Sequence, residues 1–172
     1  MPVEELEDKV AHEGGAVRAL KRHLSRYCGV PRFRQRLLCE DGTILEETAS
    51  LEGVRELQLV TLPFAADGDV ADLVQAVHFN DVEQVEGILH RPQDPDLSDE
   101  DGDRPMGVAA VEGDTQLIDL LLEARASVNA KGRESGEAPL FLACWERDAP
   151  TVRFLLASRA DVAGEGICVC AF

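Results

Sequence analysis

The chain has 172 residues, 45% of them hydrophobic, which is enough for one or two small packed domains and argues against wholesale disorder. Its net charge of −16 is uneven: residues 1–66 carry 9 Lys and Arg against 11 Asp and Glu, and residues 67–172 carry 8 against 22. The second part would repel phosphates, so its charge argues against a nucleic-acid partner and favours a basic protein or peptide. The alternative is that the acidity only keeps this part soluble.

Cysteine usage and the hydrophobic runs exclude further classes. The five Cys are odd in number and show no disulfide framework. The first residues are acidic, unlike a secretory leader, and no apolar run approaches the roughly 18 residues that a membrane span needs. We therefore expect a cytoplasmic protein with no membrane association, a nuclear location being the alternative.

The first predicted element is an amphipathic helix. Val17, Leu20 and Leu24 recur at helical spacing, and basic residues gather on another face. Gly29 is suited to end the helix, and Pro31 prevents its continuation. The pattern therefore predicts a helix that stops at Gly29.

Three short strands are predicted after this helix. Residues 35–39 form an apolar run, and Asp41-Gly42 is a hairpin turn signal that leads into a second short strand at 44–45. Residues 57–62 alternate between apolar and polar side chains with a period of two, which predicts the third strand. Together these elements predict a small α+β domain.

This order of elements resembles the ubiquitin-like β-grasp fold, a generic α+β fragment being the alternative. The segments that carry the resemblance are Gly29-Val30-Pro31, Gln35-Arg36-Leu37, Leu45-Glu46 and Leu57-Gln58-Leu59-Val60. A β-grasp begins with a hairpin, but residues 2–7 can supply only one strand, so the first strand looks missing. The domain ends in Leu62-Pro63-Phe64 without the Gly-Gly used for conjugation. The resemblance therefore implies a docking module over residues 1–64.

After a short linker at residues 65–69, one pattern occurs three times with a period of 33 or 34 residues. The equivalent anchors are Ala76, Ala109 and Ala143; Ile88, Leu121 and Leu155; and Leu89, Leu122 and Leu156. A unit of turn, short helix, turn and longer helix at this period is typical of repeat proteins. Such units bury their apolar faces by stacking on their neighbours.

The repeated pattern resembles the ankyrin repeat. The matching features are the turn glycines Gly102 and Gly136, the helix-opening Pro105 and Pro139, the Ala109-Ala110 pair and the Leu-Leu pairs. The family's Thr-Pro-Leu-His is replaced by Arg104-Pro105-Met106-Gly107 and Ala138-Pro139-Leu140-Phe141, so its usual Thr and His hydrogen bonds are absent. Arg125 and Arg159 stand where Gly would end the second helix, which loses the easy left-handed cap.

The resemblance implies an all-α stack over residues 70–163, with a cap at 70–89 followed by two full repeats. Residues 164–172 form an apolar tail, whereas a terminal repeat is expected to present a polar outer face. One interpretation is that the chain is a truncated part of a longer ankyrin array.

No catalytic, metal or cofactor site is indicated by the sequence. Cys144 aligns with the small core residue Ala110, and no His follows His90 to act as its base, so a packed thiol is favoured over a nucleophile. Cys168 and Cys170 have no partner pair at zinc-ligand spacing. We therefore expect a protein that is not an enzyme and needs no cofactor.

What remains is surface recognition. In the ankyrin family the hairpin tips and the exposed side of each first helix form a concave binding groove. Carried over position by position, the resemblance implies partner contacts at His78, Phe79, Glu100, Asp101, Asp103, Val111, Glu112, Glu134, Ser135, Glu137, Trp145 and Glu146. Aromatic residues inside a charged rim suit a protein-binding hot spot. The alternative for Trp145 is that it fills a gap between repeats.

The sequence therefore predicts a monomeric, non-enzymatic interaction protein with two modules. A ubiquitin-like domain is joined to an acidic ankyrin stack that binds a basic protein segment. One alternative is an adaptor in the ubiquitin system, which rests on fold analogy alone. Another is a regulatory fragment of a larger enzyme.

Overall fold

The computed structural model describes residues 15–64, 70–132 and 136–162, and the chain divides into two compact units, Met1–Phe64 and Ala65–Phe172. The described ranges contain seven α-helices and a two-stranded sheet. No helix within these ranges combines the length and apolarity that crossing a membrane requires. Residues 1–14, 65–69, 133–135 and 163–172 lie outside the description.

Helix α1, Ala16–Cys28, opens the described part of the first unit and ends where the sequence predicts. Gly29 adopts φ 68°, and its backbone N–H donates to the carbonyl of Ser25 at 3.1 Å. A glycine takes this left-handed conformation without steric cost, which is why the helix stops there. Val17 is fully buried, whereas Leu20 and Leu24 are half-buried.

The sheet of the first unit is smaller than predicted. A 3₁₀ turn, Arg32–Arg34, leads into β1, Gln35–Leu38, which pairs antiparallel with β2, Gln58–Thr61. The predicted second strand is reduced to a single bridge between Leu38 and Ile44. The strand at residues 2–7 lies outside the described residues, so the β-grasp assignment stays a prediction.

A tight turn explains why the second strand is so short. The backbone N–H of Cys39 donates to the carbonyl of Thr43 at 2.9 Å, which closes the turn at once. The backbone N–H of Thr43 donates to the carboxylate of Asp41 at 2.9 Å. The backbone and side-chain hydrogen bonds that Thr43 makes to Asp41 favour the charged carboxylate. They hold the pKa of Asp41 below its ordinary value.

One carboxylate organises the charged interior of the first unit. Glu47 accepts hydrogen bonds from Arg18 Nε at 3.1 Å, Lys21 Nζ at 3.2 Å and Arg32 Nη1 at 2.8 Å. Lys21 and Arg32 are only 2% and 1% exposed, so both cations depend on buried partners. Gly15 lies directly against this residue, because a Cβ at that position would collide with the Glu47 carbonyl oxygen.

The second unit consists of three helix pairs. They are α2, Val70–His78, with α3, Val82–Leu89; α4, Pro105–Glu112, with α5, Thr115–Glu123; and α6, Pro139–Trp145, with α7, Ala149–Ala157. The first helices of the pairs pack on one another, and so do the second helices. We call these the first-helix layer (α2, α4, α6) and the second-helix layer (α3, α5, α7). The equivalent residues Ile88, Leu121 and Leu155 are all buried in the core of the stack.

Aspartates at equivalent positions mark the starts of the second helices. Asp81 accepts a hydrogen bond from the backbone N–H of Gln84 at 3.0 Å, and Asp114 accepts one from that of Gln116 at 2.7 Å. These bonds satisfy amides that have no partner inside the helix. Asp148 occupies the same position before α7 without a side-chain cap bond.

The second helices of both full repeats end in the left-handed conformation although no glycine is present. Arg125 has φ 72° and Arg159 has φ 67°. The backbone N–H of Ala126 donates to the carbonyl of Leu121 at 2.9 Å, which is the Schellman pattern. The sequence predicts the loss of a left-handed cap at these positions, but the cap forms. Arg125 and Arg159 adopt the left-handed conformation, which is strained for a residue with a side chain.

Side-chain oxygens tie successive repeats together. Asp96 Oδ1 accepts from the backbone N–H of Ser127 at 2.8 Å, and Asn129 Oδ1 accepts from that of Asp161 at 2.8 Å. Arg104, in the position of the family's Thr, donates to the backbone carbonyl of Asp96. The unusual Arg at this position therefore still connects the hairpin to the preceding turn.

Candidate protein-binding surface

The first hairpin tip is held by its own backbone. The N–H of Gly102 donates to the carbonyl of Asp99 at 3.2 Å, and the N–H of Asp103 donates to the Asp99 carboxylate at 2.9 Å. Gly102 has φ 86°, which a side chain would disfavour. This turn leaves the predicted contact residues Glu100, Asp101 and Asp103 exposed.

The second hairpin tip has a similar closure but is less fully described. The N–H of Gly132 donates to the carbonyl of Glu137 at 3.1 Å, and the N–H of Gly136 donates to that of Gly132 at 3.1 Å. Glu137 is half-buried. The predicted contact residues Glu134 and Ser135 lie outside the described residues.

An apolar row crosses the C-terminal ends of the first-helix layer. Phe79 follows α2 and is 70% exposed, Val111 in the last turn of α4 is 41% exposed, and Trp145 at the end of α6 is 72% exposed. Val111 and Trp145 occupy equivalent positions of α4 and α6, and Phe79 is one residue beyond His78, the equivalent residue of α2, so the three lie at the same end of successive helices. The exposure of Trp145 contradicts the alternative that this residue fills a gap between repeats.

Acidic side chains accompany this row. Glu112 and Glu146 occupy equivalent positions at the ends of α4 and α6, and both are exposed. They place carboxylates next to the exposed apolar groups, and the first hairpin tip adds Glu100, Asp101 and Asp103 before the N-terminal end of α4. An arrangement of this kind can desolvate an apolar side chain of a partner and attract its basic residues.

The predicted contact residues His78 and Glu112 contact each other. His78 Nδ1 lies 3.0 Å from the Glu112 carboxylate, and this contact links α2 to α4. The imidazole ring of His78 also lies 5.7 Å, centroid to centroid, from the ring of Phe79. The contact therefore holds the Glu112 carboxylate beside the end of α2.

The sequence interpretation missed a supporting residue for the tryptophan. Phe141 is half-buried on α6, and its ring centroid lies 6.2 Å from that of Trp145. Residues four apart share one face of a helix, so the spacing of these two aromatics was a usable signal. Phe141 therefore lies beside the Trp145 ring on the same helix.

The comparisons with known proteins agree with the repeat architecture. A family model described as "Ankyrin repeats (3 copies)" matches residues 73–164, which is more than half of the chain. All twelve predicted contact residues fall inside that range. The match does not reach residues 1–64. No curated protein matches the chain at a significant level.

Proposed function

Because the chain belongs to the ankyrin repeat family, whose repeats generally mediate protein–protein interaction, we propose that this protein binds a basic protein segment along the apolar row of its first-helix layer. The observation that carries the proposal is Trp145, the chain's one Trp, which is 72% exposed at the C-terminal end of α6, as Phe79 and Val111 are exposed at the ends of α2 and α4. Large apolar side chains exposed in a row mark interaction sites more often than single ones do.

The row can supply substantial binding energy. A buried aromatic side chain removes roughly 150–250 Å² from water. At about 25 cal/mol per Å², covering the exposed part of Trp145 contributes on the order of 3 kcal/mol. This is the size of a hot-spot residue, so one anchor with weaker contacts from Phe79 and Val111 is enough for a specific complex.

The charge distribution favours a basic partner. Glu100 and Asp101 at the hairpin tip, with Glu112 and Glu146 beside the row, present carboxylates to the approaching segment. The excess of acidic residues over residues 67–172 adds a long-range field of the same sign. Such a field speeds encounter with cations and repels acidic competitors.

The test uses synthetic 15-residue peptides as probes. One series alternates Lys or Arg with Leu, a second replaces the basic residues by Glu, and a third replaces Leu by Ser. The emission of Trp145 should shift to the blue only with the first series, because that probe alone offers both charge and apolar cover. Equal shifts with the acidic series, or no shift with any basic peptide, would refute the proposal.

A variant pair then assigns the binding energy. Trp145→Ala should weaken binding of the labelled basic peptide, read by fluorescence anisotropy, by about 2 kcal/mol or more while leaving the melting temperature nearly unchanged. Tyr27→Ala removes another exposed aromatic, from helix α1, and should leave affinity unchanged. A sharp fall in melting temperature for Trp145→Ala would place the residue in the core.

For the first unit, we propose a ubiquitin-like docking module. The order of α1, the antiparallel pair of β1 and β2, and the bridge at Ile44 supports this assignment. A β-grasp needs a further strand on the second edge of β2. Backbone NOEs between residues 2–7 and Gln58–Thr61 in the full chain would support the fold, and their absence would favour a generic α+β fragment.

A further inference from the structure

The segment that leads into the first hairpin tip combines a hydroxyl group with a run of carboxylates. Ser98 is followed directly by Asp99, Glu100 and Asp101. No other Ser or Thr of the chain has acidic residues at all three of the next positions. A hydroxyl placed before such a run is a local charge pattern that an enzyme with a basic groove can read.

The Ser98 hydroxyl is not used by the fold. Ser98 is half-buried and lies outside the helices and strands, between the turn at residues 95–96 and the hairpin tip. Across the part of the chain that the structure describes, its side chain makes no hydrogen bond. Modifying this oxygen would therefore break no existing interaction of the Ser98 side chain.

The hairpin around Ser98 can open without unfolding the stack. Its tip is closed by the bond from Gly102 to Asp99 and by the N–H of Asp99, which donates to the carbonyl of Asp103 at 3.0 Å. Glu100 and Asp101 are fully exposed. A short, exposed hairpin of this kind opens locally at much lower cost than the helices it connects. The segment can therefore enter a groove in an extended conformation.

A cation with an unused donor lies opposite Ser98. Because Asp99 pairs with Asp103, the next residues outward are Ser98 and Arg104, and facing side chains of a hairpin lie on the same side. Arg104 Nη1 donates to the carbonyl of Asp96, but Arg104 Nε is buried and has no hydrogen-bond partner among the described residues. A phosphate oxygen is a strong acceptor for such a donor.

We propose that Ser98 is the phosphorylation site of an acid-directed Ser/Thr protein kinase, and that Arg104 binds the added phosphate. In the reaction Ser98 Oγ forms a bond to the γ-phosphorus of ATP, and the bond from that phosphorus to the oxygen bridging it to the β-phosphorus breaks. ADP leaves, and the hydroxyl proton passes to the catalytic Asp of the kinase. The product carries about 1.5 to 2 additional negative charges at pH 7.

The first test is phosphorylation of the full chain with ATP by a purified acid-directed kinase and, separately, by a kinase that prefers basic substrates. Peptide mass spectrometry should place phosphate on Ser98 with the acid-directed kinase only. Thr43 and Ser158 also have an acidic residue three positions after the hydroxyl. Phosphate mainly on these two residues, no phosphate at all, or equal labelling of Ser98 by both kinases would overturn the proposal.

A matched pair of variants tests whether the local carboxylates are recognised. Asp101→Asn removes one of them, and the loss of a charge-assisted contact should lower the rate of Ser98 phosphorylation about tenfold. Asp72→Asn, at an exposed position on α2, changes the net charge equally and should leave the rate unchanged. Equal rates in the two variants would show that the kinase does not read the run after Ser98.

Nuclear magnetic resonance of the ¹⁵N-labelled full chain tests the contact with Arg104. The Nε–H signal of Arg104 is assigned by its loss in Arg104→Lys. It should move downfield when Ser98 is phosphorylated, because a phosphate oxygen then accepts from this donor. Arg153, exposed on α7, is the internal control, and its Nε–H signal should not move. An unmoved Arg104 signal in the phosphorylated chain would refute Arg104 as the partner of the phosphate.

Discussion

Arginine at the left-handed position after the second helix is a local weakness of both full repeats. The left-handed conformation costs a non-glycine residue about 1–2 kcal/mol, and part of a gain from glycine is offset by the freedom glycine adds to the unfolded chain. Arg125→Gly should therefore raise the stability of the second unit by about 0.5–1 kcal/mol, seen as a melting temperature a few degrees higher.

The control for this substitution is Arg153→Gly. Arg153 is exposed to solvent in the middle of α7, where glycine costs about 1 kcal/mol. The melting temperature of the Arg153→Gly variant should therefore fall. If the melting temperature rises for Arg125→Gly and falls for Arg153→Gly, the backbone conformation at each position determines the effect of the substitution. A decrease for Arg125→Gly would show instead that the Arg side chain makes a contact that outweighs the strain.

Glu47 is the residue on which the first unit depends most. Removing it would leave the buried Lys21 and Arg32 without their common anion, and breaking a buried pair in this way costs about 3–5 kcal/mol. Glu47→Ala should therefore cause fast amide exchange throughout α1, measured by hydrogen–deuterium exchange. The adjacent and exposed Glu46 gives the control, and Glu46→Ala should change stability by no more than about 0.5 kcal/mol.

The contacts of Glu47 show what the sequence could and could not predict at the scale of a residue. The basic residues of α1 are visible as a helical pattern, but Glu47 lies 26 residues beyond Lys21. Nothing local links these two positions, so their pairing depends on the tertiary fold. The contact between His78 and Glu112 is of the same kind, because it depends on how α2 and α4 pack.

At the scale of an element, local signals predicted the helices well. The end of α1 follows from Gly29, and the starts of α4 and α6 follow from Pro105 and Pro139. The equivalent leucines are buried as the 33- to 34-residue period implies. Strands depend on partners far along the chain, so the second predicted strand was wrong in extent and survives only as the bridge at Ile44.

Burial of the repeated leucines gives a test of the stack. Leu121 is fully buried in α5, and Leu→Ala at such a site costs about 2–5 kcal/mol. Leu97 is 43% exposed and provides the matched control. Leu97→Ala should lower the free energy of unfolding by less than about 1 kcal/mol. Thermal unfolding followed by circular dichroism separates the two. Similar melting temperatures for both variants would contradict the packing of α5 against its neighbours.

At the scale of the whole molecule, the second unit is a one-dimensional array. Each helix pair contacts the next, so stability is the sum of the pairs and the interfaces between them. Three pairs provide two such interfaces, and each therefore matters more than it would in a longer array. The same linear arrangement brings exposed apolar side chains to the same end of successive first helices, with Val111 and Trp145 at equivalent positions and Phe79 just after α2.

At the scale of the whole molecule, the acidic residues can either attract a basic partner or only keep the protein soluble, and charge reversal at two positions distinguishes these roles. Glu100 lies at the hairpin tip that leads into α4 of the first-helix layer, whereas Glu83 lies on α3 in the second-helix layer; both are exposed. Glu100→Lys and Glu83→Lys change the net charge equally, but only the first reverses charge where a basic peptide would approach. Stopped-flow association at low salt should therefore be about two- to fivefold slower for Glu100→Lys.

Salt provides the internal check on this prediction. The Debye length is about 10 Å at 0.1 M and about 3 Å at 1 M, so the rates of Glu100→Lys and the unaltered protein should converge as salt is raised. Glu83→Lys should follow the unaltered protein closely at every salt concentration. Equal slowing by both substitutions would mean that the total charge alone acts. The acidic residues would then serve solubility, and recognition would rest on the apolar row alone.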